Sequence, residues 1–314
     1  MTLTELKYIV ALAREKHFGR AADACFVSQP TLSVAIKKLE EELSVSLFER
    51  GSSEVSLTPV GERIVVQAQR VLEEASAIKS IAQQGMDPLA GPLRVGVIYT
   101  IGPYLLPGLV SSMIERVPSM PLVLQENFTV RLLELLKQGE IDVAVLALPI
   151  NESGFVIQPL YDEPFMVALP KSHRWANEKT IRSDDLRSEN MLLLGTGHCF
   201  RDQVLGVCPE LSRFSQSSEG IQRTFEGSSL ETIRHMVASG VGITVLPSSS
   251  VPNPVPKESL LTYIPLADDD TRRTVALVWR KSFSRREALE ALRDAIMECS
   301  LNGVEFLDSP QMVR

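Results

Sequence analysis

The sequence predicts an N-terminal all-α winged helix-turn-helix, a long linker helix, and a C-terminal two-lobed α/β domain. Three observations carry this. Residues 1–57 hold helical patterns with one proline, Pro30; residues 58–86 form one continuous amphipathic pattern; from Leu93 onward, short apolar runs alternate with helical stretches. The chain has 314 residues, 44% hydrophobic and 23% charged, enough for about two domains at ~150 residues each. That composition excludes a disulfide-stapled miniprotein, a collagen-like chain and a wholly disordered one. No stretch approaches ~18 uninterrupted apolar residues, so no membrane partner is expected. Residues 1–8 lack a basic and then apolar leader, and the expected location is cytoplasmic.

The small pair Ala21 and Ala22 allows close helix crossing, and Phe26 with Val27 breaks the helical pattern. Ser28 is a good cap for a new helix, whose first turn tolerates Pro30. Leu32, Ile36, Leu39 and Leu43 then share one face, while Gln29, Pro30, Ser33, Val34 and Lys37 share the opposite one. A helix, a tight turn and a second helix with a small polar outer face follow helix-turn-helix logic, with the second helix in the major groove of double-stranded DNA. Ser28, Gln29, Thr31 and Ser33 suit base edges, and Lys37 a base or a phosphate. Leu47 to Leu57 reads as a small β wing with Arg50 set for a phosphate. Any small helical bundle shares this periodicity. Charge gives no support: the chain is at −7, and residues 1–87 carry 10 Lys/Arg against 12 Asp/Glu.

The linker helix opens at Thr58, an N-cap, and Pro59, which suits the first helical position. Ile64, Ala68, Val71, Ala75, Ile78 and Ala82 recur at heptad spacing. This seam serves self-association or packing on its own domain. Two glycines and two prolines between Gly85 and Pro92 mark a hinge. The expected boundaries are 1–58 for the DNA-reading domain, 59–86 for the linker, 87–91 for the hinge and 92–314 for the regulatory domain. Lobe I spans about 92–164 and 268–314, and lobe II about 165–267. Strands are expected at 93–99, 122–127, 141–148, 191–194, 242–246 and 273–279. Helices are expected at 103–117, 130–139, 199–207, 229–239 and 284–300. The alternation implies a parallel sheet, with ligands at strand C-terminal ends or between lobes.

Four cysteines, Cys25, Cys199, Cys208 and Cys299, are too scattered for a structural disulfide framework. Cys25 reads as a small core residue and Cys299 as a bystander. Gly195 and Gly197 deliver Cys199 to a helix start, where unpaired N–H groups and the helix dipole favour a thiolate beside His198. A thiolate there attacks peroxide to give a sulfenic acid, with which a second cysteine condenses. Cys208 lies nine residues on. A helix would hold the two Cα atoms ~13 Å apart, and a disulfide tolerates less than ~7 Å. The bond therefore requires the helix to melt or shift. Two unrelated buried thiols remain the alternative. No metal or cofactor is expected, since this spacing with one histidine does not supply four zinc ligands.

The run from Ala21 to Ser33, with Ile36, Leu39, Glu40, Leu43, Leu47, Phe48, Arg50 and Leu57 to Gly61, resembles the winged helix-turn-helix of LysR-type transcriptional regulators. The resemblance implies a homodimer on the linker helix, assembly to a homotetramer, and a regulatory domain folded like periplasmic solute-binding proteins. It places the residues matching Gln29, Pro30, Ser33 and Lys37 at DNA. Gly197 to Gln203 with Cys208, and Ser228 to Gly240, are similar to OxyR-type hydrogen peroxide sensors. This implies that Cys199 is the peroxidatic thiol and Cys208 the resolving one. It also implies that peroxide meets hydroxyls and an arginine.

Thr100 and Thr129, each following a strand, are the hydroxyl candidates; capping the next helix is their other role. Arg273 is the arginine candidate, although Arg272 stands where an apolar residue is usual. Asp202 either orients the site or is an ordinary first-turn acid. The expected function is a DNA-binding regulator, not an enzyme. Oxidation would change promoter contacts and RNA polymerase recruitment, and a thioredoxin- or glutaredoxin-type reductant would reset it. A LysR-type regulator of a small organic effector, and a thiol peroxidase, are the alternatives.

Overall fold

A computed structural model describes residues 1–50, 55–84, 87, 89–208, 224–227, 229–268 and 270–307. Helix α1 (Leu3–Glu15) starts with a capping box in which Thr2 and Glu5 satisfy each other's backbone N–H groups. His17 Nδ1 accepts from the first turn of α2 (Phe18–Ala24). Ser28 caps α3 (Gln29–Leu43), and Pro30 sits in its first turn. Ala21, Ala22, Leu32, Ile36 and Leu39 are buried with Leu6, Ile9 and Leu12 in one core, and Leu43 and Cys25 pack at its edge. The wing is an antiparallel pair, β1 (Phe48–Arg50) and β2 (Val55–Leu57). Glu40 fixes its root by accepting from Leu47 N at 2.7 Å and Phe48 N at 3.2 Å.

Helix α4 runs Pro59–Gln84, with Thr58 Oγ1 accepting from Gly61 N at 2.9 Å. Gly61 has to be glycine, because a Cβ there would lie 2.0 Å from the Leu47 carbonyl oxygen. The heptad seam divides. Ile64 and Ala68 pack into the first core, whereas Val71 is 37% and Ile78 69% exposed. Ala82's side chain lies outside the described residues.

The second unit begins with β3 (Leu93–Ile98), α5 (Gly102–Arg116), β4 (Leu122–Asn127), α6 (Thr129–Gln138) and β5 (Val143–Ala147). These strands are parallel, β3 lying between β4 and β5. The sheet as a whole is mixed. Strand β6 (Phe155–Pro170) continues for 16 residues. It pairs antiparallel with β11 (Arg272–Arg280), which in turn pairs antiparallel with β5. The strand–helix alternation implies a parallel sheet, and the antiparallel β6 and β11 depart from it because strand direction there is set by pairing across the sheet.

The other lobe holds β7 (Met191–Leu194), α7 (Cys199–Val207), β8 (Thr224–Gly227), α8 (Leu230–Ala238), β9 (Thr244–Pro247) and β10 (Leu261–Pro265). Strands β9 and β10 both pair with the second half of β6. Helix α9 (Arg286–Met297) and the short β12 (Glu305–Phe306) close the chain on the first lobe. Two apolar cores result, one drawing on residues from 93–161 and 275–299, the other on residues from 165–266.

Candidate functional site

Parallel strands end their C-termini at one edge, and there the chain repeats an aromatic–threonine pair. Tyr99-Thr100 follows β3, and Phe128-Thr129 follows β4. Across from them, Gly197 with φ +96° turns the loop after β7 so closely past the Phe128 ring that a Cβ would touch it at 3.4 Å. This turn presents His198 and the start of α7. His198 is 7% exposed, with its ring edge-on to Phe128 at 4.8 Å and to Tyr99 at 5.9 Å. The half-buried Cys199 is the first residue of α7.

Thr100, Thr129, His198 and Cys199 line one narrow cleft with Ile98, Tyr99, Asn127, Phe128 and Gly197. Its free volume is about 10 Å³, the room a single water takes. Thr100 is buried and its Oγ1 accepts from Arg273 Nη1 at 2.8 Å. The Thr129 hydroxyl is buried and meets no hydrogen-bond partner among the described residues.

Arg273 points inward and Arg272 outward, as alternation along β11 requires. Arg273 is fully buried with Glu163, its Nε donating to Glu163 Oε2 at 2.7 Å, while Arg272 lies 3.8 Å from Glu305 at the surface. Asp202 is exposed and outside the cleft lining. The sequence reading missed the Tyr99–Phe128–His198 ring cluster and Glu163. The repeated aromatic before each strand-end threonine was an available signal for the rings; nothing pointed to Glu163.

Cys199 and Cys208 are both free thiols at opposite ends of α7. Cys199 packs against the first lobe's core, whereas Cys208 belongs to the second lobe's. Burial, with Asp268 and Asp184 adding to it, pushes the Cys208 thiol up to about 11; its Sγ donates to Ser183 O at 3.5 Å. Cys299 is buried, its Sγ donates to Ala295 O at 3.2 Å, and burial raises its thiol. Among the described residues, no group of three or more His, Cys, Asp or Glu could hold a metal ion, and no helix is long and apolar enough to cross a membrane.

On α3, Gln29, Pro30 and Lys37 are exposed and Ser33 is half-buried. The Ser28 and Thr31 hydroxyls pair at 2.8 Å in the cap. Lys37 Nζ lies 3.7 Å from Glu41. Arg50 ends β1, but its side chain lies outside the described residues.

Residues 3–62 match the bacterial regulatory helix-turn-helix protein, lysR family, and residues 87–299 the LysR substrate binding domain. The DNA-binding transcriptional dual regulator OxyR of Escherichia coli K12 is 42% identical over 296 residues, 94% of this chain and 95% of that protein. A full-length OxyR C199D from Pseudomonas aeruginosa is 50% identical, with 99% of each chain covered and a TM-score of 0.76. A hydrogen peroxide-bound OxyR mutant of Corynebacterium glutamicum is 35% identical, covering 95% of this chain and 92% of that one at a TM-score of 0.63. The chain belongs to the LysR family of helix-turn-helix regulators and, within it, to the OxyR type.

Proposed function

We propose that this chain is a transcriptional regulator that senses hydrogen peroxide by oxidation of Cys199 and a disulfide with Cys208. The observation that carries this is the cleft itself. A half-buried thiol at a helix start shares about 10 Å³ of free volume with the buried Thr100 hydroxyl, an unpaired Thr129 hydroxyl and His198. That volume leaves no room for a bulky organic effector in this cleft.

Cys199 Sγ attacks one peroxide oxygen. The S–O bond forms as the O–O bond breaks; sulfur loses two electrons, and the far oxygen leaves as hydroxide and takes a proton to become water. Cys199 faces the cleft from the start of α7, and the hydroxyls stabilise the departing oxygen, with Arg273 acting through Thr100. The Cys208 thiol then condenses with the sulfenic acid, releasing water and closing the disulfide. Since a helix holds the two Cα atoms ~13 Å apart, α7 has to unravel.

The regulatory domain repacks around the disulfide and shifts the promoter contacts. Those contacts are Ser28, Gln29, Pro30, Thr31, Ser33 and Lys37 in the groove and Arg50 on a phosphate. RNA polymerase recruitment to oxidative-stress genes changes with them. A thioredoxin- or glutaredoxin-type dithiol returns the two electrons. Each oxidation consumes one peroxide, as in a thiol peroxidase, but the helix-turn-helix at residues 3–62 supports a regulatory switch and not an enzyme. It acts as a homodimer assembling to a homotetramer.

Cys199→Ser is expected to keep operator binding and lose the peroxide response. Mass mapping of wild type after one equivalent of peroxide is expected to find a Cys199–Cys208 peptide pair. A normal response in Cys199→Ser, or four free thiols after treatment, overturns the mechanism.

A further inference from the structure

We propose that Glu163 is a positioning residue for the peroxide reaction, acting through Arg273 to make Thr100 a proton donor into the cleft. This rests on the peroxide reading of Cys199. Glu163 on β6 stands directly opposite Arg273 on β11, and both side chains are 0% exposed. The carboxylate is held from two sides: Oε1 accepts from Ser249 N at 3.0 Å, and Oε2 from Arg273 Nε at 2.7 Å. A guanidinium is a rigid planar fork, so fixing Nε fixes where the other two nitrogens point. They point at Thr100, Nη1 to Oγ1 at 2.8 Å and Nη2 to the carbonyl oxygen at 3.1 Å. The fork also lies 5.1 Å from the centre of the Phe200 ring, next in sequence to Cys199.

Two consequences follow. First, the Thr100 oxygen is committed as an acceptor, so its hydrogen has to go elsewhere. Among the described residues that hydrogen meets no acceptor, and Thr100 lines the cleft. A donor is what the oxygen leaving as hydroxide requires. Second, a buried carboxylate at 2.7 Å cancels the guanidinium charge. Arg273 therefore serves through Thr100 and not as a bare cation beside the thiolate. Glu163 touches neither thiol nor peroxide in this scheme; it aims the group that aims the donor.

The test compares two electrophiles on the full-length reduced protein, following Cys199 by peptide mass. Hydrogen peroxide needs a donor for its leaving oxygen, whereas iodoacetamide expels iodide and needs none. Glu163→Asp keeps the charge but draws Arg273 back by one methylene. It is expected to slow Cys199 oxidation by peroxide about tenfold while changing alkylation less than threefold. Thr100→Val is expected to show the same selective loss, and adding Glu163→Asp to it is expected to deepen the loss by less than twofold. Should Glu163→Asp fold poorly, the pair Glu163→Gln with Arg273→Met removes both buried charges and is expected to give the same selectivity change.

Equal slowing with both electrophiles, no slowing with either, or full additivity with Thr100→Val overturns the proposal. If wild-type Cys199 itself reacts with peroxide no faster than a free thiol, the peroxide reading has failed and takes this inference with it. Fast wild type with unaffected variants removes the role of Glu163 alone.

Discussion

At the residue scale, the two thiols of the proposed switch differ in the environments the fold gives them. Cys199 is half-buried at a cleft, whereas Cys208 is 5% exposed within a core and raised to about 11 by burial, then by Asp268 and Asp184. A raised thiol keeps its proton in the folded state after the unfolded chain, near 9, has released it. The unfolded state then binds fewer protons, so stability falls as pH rises from about 9 to 11 and is unaffected below. Cys208→Ala is expected to flatten the decline in melting temperature across that window. At neutral pH, iodoacetamide is expected to label Cys199 well before Cys208. How legible these residues were follows from where they sit. Cys199, His198, Thr100 and Thr129 stand at strand or helix ends, which local patterns mark. Glu163 lies inside β6, where Pro159, Asp162, Glu163 and Pro164 interrupt any alternation. Its partner is 110 residues away, and no local signal reports such a pairing.

At the scale of the element, α7 both displays Cys199 and keeps Cys208 away. Its hold on the rest of the domain is specific. Phe200 packs edge-on against Phe165 at 5.2 Å, Arg201 Nη1 donates to Leu194 O at 2.9 Å, and Gln203 Nε2 donates to Leu148 O at 3.0 Å. Gly206, in the last turn, weakens the helix because glycine gives up the most backbone freedom there. A Cβ at that position would meet nothing within 4 Å. Gly206→Ala is therefore expected to strengthen the reduced helix by roughly 0.5–1 kcal/mol. A more stable reduced state makes the disulfide easier to reduce. The midpoint potential is expected to rise by roughly 10–20 mV, with slower disulfide closure after sulfenic acid formation. An unchanged or lower potential in a thiol–disulfide titration would mean that α7 does not have to melt. The helix bounds at 199–207 were readable because the glycine loop and the apolar spacing flank it. Strands near β9 and β11 were readable too, but their antiparallel pairing with β6 was not, because pairing is set across the sheet and not along the chain.

At the scale of the whole molecule, the proposed switch has to carry an event in one lobe to a DNA contact, and α4 is the element that offers a seam to a second chain. Its seam is only half used within the first unit. Ile64 and Ala68 are covered, while Val71 and Ile78, seven residues apart on the same stripe, stay exposed at 37% and 69%. Exposed apolar residues at heptad spacing are what a second copy of the helix covers. Net charge at −7 gives DNA no general attraction to this chain, so a single helix-turn-helix has little affinity to draw on. Two linked copies turn the second contact into an intramolecular one, and avidity then supplies ~10²–10⁴. Ile78→Asp buries a charge in that seam. It is expected to convert the proposed dimer to monomers by sedimentation at micromolar concentration and to lower operator affinity at least tenfold. Peroxide oxidation of Cys199 is expected to be unchanged, because the cleft is built within one chain. A dimer that persists in Ile78→Asp assigns self-association to another surface. If Cys199 chemistry is lost together with the dimer, the cleft depends on assembly and sensing is not the work of a single chain.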